Sequence, residues 1–160
     1  MIKDNQQHFN RLHVIIDAFV IAVSYIIAWW LKFSSGILDS PGGALSLGFY
    51  MRALVVIIPL YLILYYAFNL YAPKRVQGRR LEFSNIVMAN IVGFLLIFTV
   101  LYNLQSYVDQ FRNFSREMFF YFFAINTVLE ESFRLLIRQF LRTIRKNGYN
   151  LKHVLLVGYS

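Results

Sequence analysis

Three stretches of the chain read apolar for about 20 residues each, the length a helix needs to cross roughly 30 Å of hydrocarbon. They run from Leu12 to Leu31, from Ala53 to Leu70 and from Ile86 to Tyr107. A fourth starts at Met118 and stays apolar to Leu129, after which Glu130, Glu131, Arg134 and Arg138 intrude; it spans, over about 118–138, if its lower end meets water. Beyond it Arg134, Arg138, Arg142 and Arg145 follow one helical stripe, with Leu135, Ile137, Leu141 and Ile144 on other faces. This predicts a basic amphipathic extension over 134–148 that lies on the membrane surface and stops near Asn147 and Gly148. Val154 to Val157, closed by Gly158, changes the pattern to that of a fully buried strand. The expected fold class is an all-α membrane protein: a four-transmembrane-helix bundle over 1–148, then at 149–160 the first strand of a missing α/β domain. The chain is thus read as the front part of a larger protein.

Composition agrees. Hydrophobic residues make up 58%, aromatic residues 18% and charged residues only 15%, against about a quarter charged in soluble domains. Lys3 and Arg11 ahead of the first apolar run imitate a secretory signal. The run is too long for one, and no convincing cleavage site follows, so it reads as a retained anchor. The absence of cysteine excludes disulfides, thiol catalysis and thiolate metal sites. His8, His13 and His153 are too scattered for a metal site.

With four spans the basic residues separate. Lys3, Arg11, Lys74, Arg75, Arg79, Arg80, Arg134, Arg138, Arg142, Arg145, Lys146 and Lys152 fall on one side, twelve of the 16, leaving Lys32, Arg52, Arg112 and Arg116 on the other. Because Lys and Arg resist translocation, both termini are expected in the cytoplasm of a bacterial inner-membrane protein. Trp29 and Trp30, and Tyr65, Tyr66 and Tyr71, sit where aromatic interface belts would lie. The short basic connection from Ala72 to Ser84 reads first as a topology signal attracted to anionic lipid.

Counting along the helices places Asp17 roughly 8 Å inside the cytoplasmic boundary and Glu130 and Glu131 at a similar depth. Charges at that depth need partners. The candidate ion-pair cluster is Asp17, Glu130 and Arg134, with Asp17 meeting Arg134 or Arg138 and Glu130 spaced for an i,i+4 pair with Arg134. Adjacent Glu130 and Glu131 point about 100° apart, which suits structure better than paired acid and base catalysis. Arg79, Arg80, Arg138, Arg142 and Arg145 are candidate contacts for lipid headgroups or a lipid phosphate.

The order of these features resembles one family. Arg11 and Asp17 open helix one, Phe114, Ser115 and Arg116 open helix four, an Arg-rich exit follows, and Asn150 to Gly158 gives N-x-x-x-V-L-L-V-G. Together they are similar to the membrane domain of bacterial polyprenyl-phosphate sugar-1-phosphate transferases of exopolysaccharide, capsule and O-antigen synthesis, truncated at the start of their Rossmann-like domain. The resemblance implies an anchoring and assembly role here. Transfer of sugar-1-phosphate from a nucleotide-sugar to undecaprenyl phosphate would belong to an absent magnesium-dependent module, so no catalytic residue, cofactor or metal is assigned to this chain. Gly158, Tyr159 and Ser160 do not make a dinucleotide fingerprint. The implied partners are the lipid bilayer, undecaprenyl phosphate, a second copy or polysaccharide-assembly proteins, and no nucleic acid. Membrane-anchored nucleotide-sugar dehydratases or epimerases share the organisation, and a non-enzymatic docking or transport module is the third alternative.

Overall fold

The computed structural model describes residues 2–34, 46–72 and 78–147, with side chains from Gln7 onward except that of Arg145. The expected strand from Val154 to Val157 lies outside the described residues. Four helices carry the fold: α1 (Ile2–Phe33), α2 (Leu47–Ala67), α3 (Arg79–Tyr107) and α4 (Arg116–Lys146), with one 3-10 turn at Asp109–Phe111. Continuous helix is what apolar surroundings impose, since in hydrocarbon every backbone N–H and C=O must be satisfied within its own segment.

Local chemistry sets two of the ends. Asn69 adopts φ 57°, a left-handed conformation that Asn tolerates better than most residues. The Leu70 N–H then bonds the Tyr65 carbonyl, and the Asn69 N–H that of Tyr66, both at 3.0 Å. This double closure ends α2 and turns the Leu70 carbonyl free of the helix. At the start of α4 the Ser115 hydroxyl accepts the Met118 N–H at 3.4 Å, while the Ser115 N–H donates to the Tyr50 hydroxyl of α2 at 3.1 Å.

Each helix packs on its two neighbours in a ring, α1 on α2, α2 on α3, α3 on α4 and α4 back on α1, with the α1–α4 seam the most extensive. All four seams are antiparallel. Phe33 near the end of α1 meets Tyr50 near the start of α2. Phe98 meets Phe120 at one end of the α3–α4 seam, and Glu82 pairs with Arg138 at the other. Lys32 pairs with Glu117 and Asp17 with Arg134 along α1 and α4. Across the diagonal α2 and α4 meet through side chains, Tyr61 edge-on to Phe122 and Tyr65 bonded to Asn126, and Tyr50 packs on Phe114 just before α4. Gly93 makes room for this: a Cβ there would lie 2.8 Å from Cζ of Tyr61.

The usual distribution of residues is partly inverted. Asp17, Glu82, Asn90, Asn126, Glu130 and Arg134 are buried, whereas Phe19, Val55, Ile63, Val128, Leu136 and Phe140 are each at least 60% exposed. Such a surface is unfavourable in water and suits acyl chains. Among the described residues, three segments are long and apolar enough to cross a membrane: Gln7–Phe33, Leu47–Ala67 and Arg79–Tyr107. On composition α4 does not join them, because its charged residues dilute its apolar stretch. Helix α3 begins at Arg79, seven residues before the span expected from Ile86. The connection expected from Ala72 to Ser84 is therefore partly helical.

Candidate functional site

Arg134 is the centre of the most heavily charged place in the bundle. Its guanidinium has 3% side-chain exposure and receives a group from each of the other helices. Nη2 donates to Oδ2 of Asp17 on α1 at 2.8 Å. Nη1 donates to Oε1 of Glu82 on α3 at 3.2 Å and to the Leu70 carbonyl beyond α2 at 3.3 Å. The helix-ending turn at Asn69 is what presents that carbonyl. Arg138, one turn further along α4, pairs with the other Glu82 oxygen.

Glu130 sits one turn before Arg134 and is 1% exposed. The i,i+4 pair expected between them does not form. Both Glu130 oxygens lack a hydrogen-bond partner, and the carboxyl lies instead beside Asp17. The reason is geometric: Arg134 is drawn across the core by carboxylates from α1 and α3, away from its own helix. Glu131, on the neighbouring face, is only half-buried. Tyr71, just past α2, also faces Asp17; burial first, and then that carboxylate, hold its phenol well above the usual range.

The remaining candidates separate by position. Arg79 and Arg80 are exposed in the first turn of α3, and Arg142 is exposed near the end of α4. The side chain of Arg145 lies outside the described residues. Arg138 is turned inward to Glu82 and is therefore committed to the cluster before any headgroup. Glu82 itself was not anticipated, because its segment reads as a loop. Its signal is present once α3 is extended backwards: Glu82, Ile86, Ala89, Asn90, Gly93 and Ile97 form one buried stripe.

A second polar layer lies deeper in the bundle. The Tyr65 hydroxyl donates to Oδ1 of Asn90 at 3.2 Å. Nδ2 of Asn126 donates to that oxygen at 2.8 Å and to the Tyr65 hydroxyl at 2.9 Å. Tyr65, expected in an interface belt, is thus a core residue, since its phenol faces Asn90 and Asn126 across the bundle. Tyr66 remains exposed. Asn103 bonds the Thr99 carbonyl of its own helix. At the far end Lys32, 7% exposed, meets Glu117.

Among the described residues no group of three His, Cys, Asp or Glu could hold a metal ion. Asp17, Glu82, Arg134 and Arg138 pair with one another and tie α1, α3 and α4 to the turn after α2.

These features define a multi-helix membrane domain whose polar groups face inward. The family described as a CoA-binding domain matches residues 66–160, and the chain belongs to that family. The domain is one found in polyprenyl-phosphate sugar transferases and nucleotide-sugar enzymes. No curated protein and no solved structure matches the chain.

Proposed function

We propose that these 160 residues are the membrane-anchoring and assembly domain of a polyprenyl-phosphate sugar-1-phosphate transferase. In this reading α4 is a fourth span and both termini are cytoplasmic. The observation that carries it is the inward pairing of α4. Its charges meet α1 and α3 inside the bundle, while Phe120, Val128, Leu136 and Phe140 point outward. An average over the helix hides this segregation. The pairs Asp17–Arg134 and Lys32–Glu117 are separated by 15 residues of α1, about 22 Å of helix, which fits inside one hydrocarbon thickness. A helix that accompanies α1 over that distance shares its depth.

The family match supports a sugar-transferase or nucleotide-sugar parent. For coenzyme A, which the family's description names, the groove between α1 and α4 is a poor fit. This groove of about 500 Å³ is lined by Ile15, Ile16, Phe19, Phe133, Leu136, Ile137 and Phe140, and offers no donor to a diphosphate. The Arg134 cluster is already paired. No step is therefore assigned to that cofactor.

Arg79, Arg80 and Arg142 remain free to meet lipid phosphates at the cytoplasmic face, and the chemistry belongs to a module outside these residues. The test is transfer of labelled sugar phosphate from a nucleotide-sugar to undecaprenyl phosphate with magnesium present. The expected result is no turnover by the 160-residue chain and turnover by a parent protein that carries the magnesium-dependent module. Turnover by the chain alone would overturn the placement.

A further inference from the structure

The buried cluster does not balance its charge. Asp17, Glu82 and Glu130 supply three carboxylates, each at most 7% exposed, against the guanidinium groups of Arg134 and Arg138. A net buried charge surrounded by apolar side chains is far costlier than a neutral set. The surplus falls on Glu130, whose two oxygens have no partner although the residue is 1% exposed and turned to Asp17.

We propose that Glu130 is a proton-binding site, at which the folded bundle holds one proton on the buried carboxyl. The proton turns one of the two unpartnered Glu130 oxygens into a donor, as carboxylates that share a buried site with Asp17 require. A metal ion is the poorer occupant, because no group of three acids or histidines converges among the described residues.

Every packed element contributes a group to this balance. From α1 come Asp17 and, one turn earlier, the buried His13, whose Nδ1 lies 2.8 Å from the Phe9 carbonyl. Tyr65 and Tyr71 come from α2 and its closing turn. Tyr71 stays a neutral phenol and does not alter the count. Glu82 of α3 acts through Arg134. On α4 lie Arg134, Arg138 and the half-buried Glu131, which reaches the surface.

The experiment uses the whole chain in lipid nanodiscs. Infrared difference spectra of wild type against Glu130→Gln should show a protonated-carboxyl carbonyl band at neutral pH that the substitution removes. Glutamine mimics a neutral carboxyl, so Glu130→Gln should fold with undiminished yield. A folded state that binds one proton more than the unfolded state makes the unfolding equilibrium rise with pH, by at most about tenfold per pH unit. That slope should be present in wild type and absent in Glu130→Gln. The proposal is overturned if the band is missing or survives in Glu130→Gln, or if that variant fails to fold. It is also overturned if His13→Gln, and not Glu130→Gln, abolishes the slope. Stability that follows sodium in place of potassium at fixed pH would assign the site to an alkali cation and overturn it as well.

Discussion

Arg134 Nη2 lies 2.8 Å from Asp17 Oδ2 although 117 residues separate them in the chain. The contact closes the ring of helices by joining the last to the first at one end of the bundle, where α4 runs on into its basic extension. Arg134 also reaches Glu82 and the Leu70 carbonyl. One side chain therefore reports on the relative placement of all four helices.

Removing that side chain should be severe. Arg134→Gln leaves the buried Asp17 carboxylate without its cation, while Glu82 keeps Arg138, and breaking a buried pair costs about 3–5 kcal/mol. Asp17→Asn should cost less, since Glu82 still faces the guanidinium. A double-mutant cycle on thermal unfolding in detergent should give a coupling above about 1 kcal/mol. Additive losses would mean that the two groups do not act as a pair.

Gly93 tolerates no branched side chain. Gly93→Val drives its methyl groups against the Tyr61 ring and should destabilise by about 1–3 kcal/mol through overpacking. Combining it with Tyr61→Leu should recover part of the loss, as read by the melting midpoint. No recovery would place the damage elsewhere in α3.

The Tyr65, Asn90 and Asn126 layer should behave as one unit. Asn126→Ala is expected to cost about 0.6–2 kcal/mol, the range for hydrogen bonds between membrane helices. Tyr65→Phe added to Asn126→Ala should cost less than Tyr65→Phe alone. Equal costs in the two backgrounds would show that the hydroxyl bonds something else.

The chain has no cysteine, so single cysteines map its sides directly. A membrane-impermeant maleimide should label Arg112→Cys in intact cells and Arg142→Cys only after the membrane is opened. If α4 did not cross, the two positions would share a side and label together.

Much of this architecture was legible in the sequence, because burial in a bilayer selects for long apolar runs and the positions of those runs survive any packing. Three spans, the helical extension of the fourth element and the pairing of Asp17 with an arginine of helix four follow from hydropathy, period and depth alone. Depth along a helix is a one-dimensional property, and a sequence contains it. Which face turns inward is not. Tyr65 has the position of an interface residue and the contacts of a core residue, and only the neighbouring Asn90 and Asn126 decide between them. Glu82 was hidden because α3 begins seven residues before its apolar run, so its place on the buried stripe appears only when the helix is seen to continue. Glu130 was one turn from Arg134 and correctly ordered to pair with it, yet carboxylates on two other helices draw that guanidinium away. Sequence set which groups share a level of the membrane; the tertiary structure chose their partners, because competition among charges is settled by distances across helices that no spacing along one chain encodes.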